Sequence, residues 1–185
     1  MYNDRSAGHT LHMHIFYGLW VALHIHAAFT LKNNWYRTLN FHCAPRTQAI
    51  DAIVSVYQNG HEDRIYEFHC GRVLNIGRGV TCHWSGYVND FDQAVYYQCP
   101  GASYINGIAS SNHTVHNDRR HSFRCCGHRG SHYHYKRCYW TNWLKNYDQT
   151  VAFFVPRGFV LRGVNNFRSN HNKGRRFRFE VCKLK

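Results

Sequence analysis

Three segments of the chain alternate apolar and polar positions and end at a cysteine: residues 63–70, 118–126 and 174–182. Each follows a short apolar run, at residues 50–54, 105–109 and 160–164. Alternation with a period of two is typical of a strand with one buried face, and a short apolar run between turn residues is typical of a core strand. The pattern therefore predicts three pairs of strands, and no helical periodicity is sustained after the first 28 residues.

Alternation also divides the side chains of each cysteine-ended segment between two faces. The aromatic face is predicted to line the core, and its members are Arg64, Tyr66, Phe68 and Cys70, then Arg119, His121, Phe123 and Cys125, then Arg175, Phe177, Phe179 and Val181. The opposite face is predicted to meet solvent and carries Arg120, Arg124, Arg176 and Arg178. The three inward arginines are expected to stack on aromatic rings or to pair with Asp63 and Asp118.

Equivalent positions recur every 56 residues. This interval separates Cys43, Cys99 and Val155, and also Cys70, Cys126 and Cys182. A fixed period predicts three copies of one unit, near residues 35–70, 91–126 and 147–182, with connectors that form ordered loops and short strands. One unit has too few strands to bury its own face. We therefore expect a single all-β domain of three antiparallel repeats with a trefoil-like or prism-like closure.

The chain has 185 residues, of which 16% are aromatic and eight are cysteines. The cysteines lack the short paired spacing of a zinc ribbon, so a disulfide framework in an oxidising compartment is favoured over metal binding. Eight cysteines allow about 105 pairings, and the sequence alone does not choose among them. No cofactor is expected.

Residues 15–28 form an apolar stretch that ends in small residues. We predict that residues 1–28 are a secretory signal peptide, cut near Ala27 or Ala28, and that residues 29–185 are the mature domain. Met13 is an alternative start, and a buried N-terminal strand or helix is the alternative structure. No second apolar run of spanning length follows, so no transmembrane anchor is expected.

Positive charge is concentrated in the second half of the chain. From Arg119 to the C-terminus there are 16 Lys and Arg against Asp148 and Glu180, whereas residues 29–118 hold six basic and seven acidic residues. Such asymmetry favours an anionic partner. For a secreted protein the accessible polyanions are glycosaminoglycans, sulfated or sialylated glycans and anionic membranes rather than nucleic acid. A cationic surface that only aids solubility is the alternative.

The loop at residues 127–137 combines cations, histidines and tyrosines. Cations can hold sulfate or carboxylate groups, and Tyr133 or Tyr135 can stack on a sugar. The predicted glycan-binding residues are Arg120, Arg124, Arg129, Lys136, Arg137, Arg176 and Arg178. His132 and His134 have the spacing of a weak metal-ligand pair, and no metal site is predicted. These two histidines and His128 would become more cationic below about pH 6.5, which would strengthen binding to a polyanion.

Asn112 begins the tripeptide Asn-His-Thr, which fits the acceptor pattern for N-glycosylation. It lies between two predicted strands of the second unit, where surface exposure is expected. Asn112 is therefore a predicted glycosylation site.

Two features identify a family resemblance. One is the strand Asp-Arg-x-aromatic-x-Phe that leads to a cysteine; the other is the aromatic-x-Cys-Pro opening at residues 97–100. Together with the adjacent Cys125 and Cys126, they make residues 35–183 resemble the dermatopontin family. The resemblance implies four disulfides: Cys43 with Cys70, Cys82 with Cys125, Cys99 with Cys126, and Cys138 with Cys182.

The resemblance also implies a secreted, non-enzymatic protein of the extracellular matrix or of cell adhesion, with proteoglycans, collagen fibrils and cell surfaces as possible partners. The chain lacks an Arg-Gly-Asp triplet and is basic where vertebrate members are acidic. These departures argue against decorin-like and integrin-type roles and favour acidic glycans. A haemagglutinin-like lectin that recognises one cell-surface sugar is the closest alternative. A secreted ribonuclease-like enzyme using His121 or His132 is a weaker one, because no local motif places a catalytic pair.

Overall fold

The computed structural model describes residues 31–45, 47–58, 60–73, 79–113, 116, 118–128, 134–147, 149–169 and 174–184. The predicted signal peptide lies outside these ranges. The described chain forms eleven strands and contains no helix: β1 (Leu39–His42), β2 (Gln48–Gln58), β3 (Asp63–Arg72), β4 (Val80–Tyr87), β5 (Val95–Gln98), β6 (Tyr104–His113), β7 (Asp118–His128), β8 (Tyr135–Trp140), β9 (Val151–Phe154), β10 (Phe159–Arg168) and β11 (Arg175–Leu184). The prediction of an all-β protein is confirmed.

The strands make three antiparallel sheets, with the orders β3-β2-β9, β1-β6-β7-β4 and β5-β10-β11-β8. Each sheet is centred on one long hairpin, and these hairpins are β2–β3, β6–β7 and β10–β11. All three have a register shift at the corresponding place, at Ile50/Ala52, Ile105/Gly107 and Leu161/Gly163. The predicted strand pairs are these hairpins, and β4 and β8 are the short strands expected in the connectors.

Each hairpin receives a four-residue edge strand that is distant from it in sequence. Strand β1 precedes β2 but pairs with β6, and β5 precedes β6 but pairs with β10. The last edge strand, β9, returns to β2 and places Phe153 opposite Ile53. The exchange is therefore cyclic, because every sheet is completed by a strand that belongs to another part of the chain.

The three sheets enclose one shared core. It contains Tyr66 and Phe68 from β3, Phe123 from β7, and Phe177 and Phe179 from β11, each at most 6% exposed. Rings from different sheets stack directly, as Phe153 does on Phe179 at 4.6 Å between centroids. This confirms which face of each closing strand is buried.

Two buried arginines join neighbouring sheets through ion pairs. The guanidinium of Arg119 binds both carboxylate oxygens of Asp63, at 2.7 and 2.8 Å. Arg175 binds Asp118 in the same way, at 2.6 to 3.1 Å. All four residues are at most 6% exposed. The predicted pairing is confirmed, although each arginine reaches the aspartate of the preceding hairpin.

The third inward arginine, Arg64, binds backbone carbonyls. Its guanidinium donates to the carbonyl oxygens of Tyr147 at 2.6 Å and Arg175 at 3.0 Å, and it lies over the Phe177 ring. At the position that Asp63 and Asp118 hold in the other hairpins, this one has Gly174. A Cβ at Gly174 would lie 2.4 Å from the Tyr147 carbonyl oxygen, so the close approach of the two backbones excludes a side chain there.

Four disulfides are formed, and two of the four implied pairings are wrong. Cys43–Cys70 and Cys138–Cys182 are confirmed, whereas the other two bonds are Cys82–Cys126 and Cys99–Cys125. The cause is the strand register. Cys126 lies directly opposite Cys82 on β4, with 4.1 Å between their Cα atoms. Cys125 points to the other face of β7, into the core, where it meets Cys99.

Candidate functional site

The predicted outward arginines of β7 and β11 are half-buried on the outer faces of their sheets. They do not extend freely into water. Their stems lie along the sheet, and the Nε atoms of Arg120, Arg176 and Arg178 are inaccessible to solvent. Each guanidinium is held by a neighbouring group, so the position of its charge is fixed before any ligand arrives.

On β7, Arg120 lies between two aromatic rings. Its guanidinium carbon is 4.3 Å from the centroid of Tyr87 and 4.7 Å from that of Phe91. Arg124 is held differently, by donating from Nη1 to Oδ1 of Asn106 at 3.1 Å. Asn106 is fully buried and donates in turn to the carbonyl of Gln48.

On β11, two tryptophans hold the arginines, one from β8 itself and one from the connector between β8 and β9. The guanidinium of Arg178 lies 5.2 Å from Trp140 and 4.7 Å from Trp143. Arg176 lies 5.6 Å from Trp143. Cation–π contact of this kind orders an arginine without neutralising it.

The four outward arginines form no ion pair within the described ranges. Other arginines of the second half do: Arg162 binds Glu180 at 3.2 Å, and Arg168 binds Asp92 at 2.6 Å. Arginines that face inward or sit between strands are therefore compensated by carboxylates, whereas those on the outer faces are compensated by rings and one amide. The outer faces keep a net positive charge that an anion can meet.

The remaining predicted cations lie on or near β8. Lys136 and Arg137 are exposed, and Arg137 lies over the Tyr139 ring at 5.8 Å. Arg129 falls in residues 129–133, outside the described residues, together with His132 and Tyr133. The structure therefore brings Lys136 and Arg137 to the edge of the sheet that carries Arg176 and Arg178, and it leaves Arg129 a prediction.

Tyr135 does not present a free ring. Its hydroxyl donates to the carbonyl of Ser103, and Arg162 lies over its ring at 5.3 Å. Burial raises the pKa of Tyr135 well above its usual value. The residue anchors the start of β8 to the loop before β6, which makes it a structural contact.

Among the described histidines, cysteines and acids, one group has metal-binding proximity: Cys138, Glu180 and Cys182. The two cysteines are joined as a disulfide and offer no thiolate. His134 is exposed, and its partner His132 is outside the described residues.

Asn112 lies near the end of β6 opposite Arg119. Both polar atoms of its side chain are inaccessible to solvent. Attachment of a sugar would require this end of the hairpin to open, and glycosylation of Asn112 stays a prediction.

His121, considered above as a catalytic residue, is 4% exposed in the core. It lines a central cavity with residues from all three sheets, including Ser55, Tyr66, Asn166 and Phe177. A macromolecular substrate has no access to it there. Burial, followed by the charges of Arg175 and Arg119, lowers the pKa of His121 well below its usual value.

The sequence predicted the outward arginines but not the rings that hold them. Tyr87, Phe91, Trp140 and Trp143 lie in the connectors, whose richness in aromatic residues was the available signal. Tyr87 and Trp143 are also separated by 56 residues. Extending that interval into the connectors would have indicated equivalent rings beside equivalent arginines.

Comparison with known proteins gives a consistent result. The family profile described as Dermatopontin matches residues 33–185. The hemagglutinin/amebocyte aggregation factor of Limulus polyphemus is 35% identical over 153 residues, covering 83% of this chain and 87% of that protein. Dermatopontin of Biomphalaria glabrata is 32% identical over 144 residues, covering 78% and 93%. Millepora cytotoxin-1 of Millepora dichotoma is 28% identical over 154 residues, covering 81% and 65%.

No solved structure matches the chain. Across the described ranges, no helix has the length and apolar character needed to cross a membrane.

Proposed function

The chain belongs to the dermatopontin family, and from this premise we propose that it is a secreted, non-enzymatic matrix or adhesion protein that binds acidic glycans. The outer faces of β7 and β11 are the proposed binding surface, with Arg120, Arg124, Arg176 and Arg178 at their centres and Lys136 and Arg137 at the edge. The observation that carries the proposal is that these four arginines are held in place by rings or an amide and have no carboxylate partner within the described ranges.

Secretion is supported by the four disulfides, which persist in oxidising compartments. We infer that residues 1–28 are the signal peptide and that the three hairpin-centred sheets are the repeats of about 56 residues. Two of them carry outward arginines, so one molecule offers two weak sites to the same polyanion. Linked sites raise the effective concentration of the second contact, which suits a protein that bridges matrix or cell-surface glycans.

A lectin that recognises one sugar is the second candidate, favoured by the similarity to a protein named as a hemagglutinin and aggregation factor. The two functions respond differently to salt and sugar. Charge-driven binding weakens steeply as ionic strength rises, whereas a lectin is inhibited by a particular monosaccharide at constant salt. A glycan array at two salt concentrations distinguishes them.

The direct test replaces Arg120, Arg124, Arg176 and Arg178 with Ser and measures affinity for heparin. We expect affinity to fall at least about ten-fold, since a charge-assisted hydrogen bond to a sulfate is worth on the order of 1 kcal/mol. The matched control replaces the exposed cations Arg37, Arg72, Arg157 and Lys183 with Ser and has the same net charge. Equal reductions in both variants would mean that net charge alone binds heparin and that the outer faces are not the site.

A further inference from the structure

On the outer face of sheet β5-β10-β11-β8, aromatic side chains and an arginine form a continuous column: Tyr96, Trp140, Arg178, Trp143 and Phe167. Successive members lie 4.7 to 5.6 Å apart between ring centroids or guanidinium carbon. Tyr96 and Trp140 are nearly parallel, with an angle of 25° between their planes. Arg176 lies beside Trp143 and adds a second positive charge to the same column.

The register of the strands brings these side chains to one face. Asn165 of β10 lies opposite Tyr96 on one side and Arg178 on the other. Phe167 lies opposite Arg176. Asn165 is only 4% exposed, because the larger side chains around it cover it. The column crosses the sheet above a floor of small and polar residues.

The two ends of the column are exposed rings. Tyr96 is 59% exposed and Phe167 is 48% exposed. Between them lie two guanidinium groups that rest against the faces of Trp140 and Trp143. The face therefore offers apolar ring surfaces at both ends and positive charge in the middle.

We propose that this column is a binding track for an acidic polysaccharide built of pyranose rings, such as a sulfated glycan. The inference rests on the proposed function and adds selectivity to it. The C–H faces of pyranose rings stack on Tyr96 and Phe167, and sulfate or carboxylate groups accept hydrogen bonds from Arg176 and Arg178. A polyanion without rings can use only the arginines.

The outer face around β7 is less suited to such a track. There Arg120 has the exposed Tyr87 on one side, but Phe91 on the other is covered by His116, which stacks on it at 5.1 Å and 4°. One ring end is therefore closed. That face supplies charge, and the β11 face supplies both charge and stacking surface.

The test compares two polyanions, heparin and inorganic polyphosphate, on three single variants. Tyr96→Ala and Phe167→Ala should each weaken heparin binding by about three- to ten-fold, as expected when one stacking ring is removed. Polyphosphate binding should stay unchanged in both. The matched control is Phe154→Ala on β9, a ring that is 58% exposed on a different sheet, and it should alter neither.

Tyr96→Trp keeps a stacking surface and should retain heparin affinity, which separates removal of the ring face from a general disturbance of the sheet. Thermal melts of all variants identify any that are unfolded, and Tyr96→Trp then carries the comparison. Equal weakening toward heparin and polyphosphate, or no change in the two alanine variants, would overturn the track while leaving the proposed function intact. Failure of the unaltered protein to bind heparin would instead overturn the proposed function itself.

Discussion

At the scale of single residues, His121 shows how position changes the chemistry of a side chain. The corresponding positions in the other two closing strands are Tyr66 and Phe177, and all three line the central cavity. The Nδ1 atom of His121 lies 3.4 Å from Oδ1 of Asn89, and the charged groups nearest in the cluster are Arg119 and Arg175 with their partners Asp63 and Asp118. The sequence placed this histidine on the buried face correctly, but its burial makes it a core residue.

The lowered pKa of His121 predicts acid sensitivity. The folded protein keeps the histidine neutral, whereas the unfolded chain protonates it near its usual pKa of 6.5. Because the unfolded state binds more protons, the free energy of unfolding falls as the pH drops below about 6.5. His121→Phe, which imitates Phe177, should remove this component and flatten the stability profile between about pH 7.5 and about pH 5. Urea unfolding at several pH values measures it, and His134→Phe, at an exposed site, serves as the control. Parallel profiles for His121→Phe and the unaltered protein would contradict the assignment.

At the scale of strands, the adjacent cysteines of β7 show why a pairing cannot be transferred from a resemblance alone. Neighbouring residues on a strand point to opposite faces, so Cys125 and Cys126 cannot exchange partners without a one-residue slip of the register. Cys126 is fixed by its position opposite Cys82, and Cys125 by the core.

Double substitutions distinguish the two pairings. Cys82→Ser with Cys126→Ser removes one bond and leaves Cys99–Cys125 intact, so the variant should fold with no free thiol and lose about 2 to 5 kcal/mol of stability. Cys82→Ser with Cys125→Ser leaves Cys99 and Cys126 on opposite faces, so two free thiols are expected. A thiol assay reports the difference, and the reverse result would restore the pairing that the resemblance implied.

Local pattern predicted the hairpins, their inward faces and the outward arginines, because each depends on alternation within one strand. It did not predict the edge strands β1, β5 and β9, which have four residues each and pair far away in sequence. The aromatic column was also missed, since Tyr96 meets Trp140 only through the register of four strands. What the sequence lacked in both cases was long-range pairing.

At the scale of the whole molecule, the cyclic exchange of edge strands ties the stability of each sheet to the others. Strand β9 completes the sheet of β2 and β3, although about 90 residues separate it from them in sequence. Its Phe153 packs on Phe179 of another sheet. Unfolding is therefore expected to be a single cooperative transition.

Phe153→Ala tests this coupling. We expect a loss of about 3 to 5 kcal/mol in the free energy of unfolding, as for other buried phenylalanines. Amide hydrogen exchange should quicken in β2, which pairs with β9, as well as in β11. Exchange that quickens only in β9 to β11 would show that the first sheet is stable without its borrowed strand.

The disulfides have a mechanical consequence for a protein that holds two surfaces together. Under tension, the loops closed by Cys43–Cys70, Cys82–Cys126 and Cys138–Cys182 cannot be drawn out. Between Cys43 and Cys182 only the 12 residues from Cys70 to Cys82 and the 12 from Cys126 to Cys138 can extend. At roughly 3.4 Å per residue, with the bridges added, the unfolded molecule reaches about 100 Å, against about 470 Å for the reduced chain. Oxidised, it is a short tether that yields little length even after its sheets have come apart.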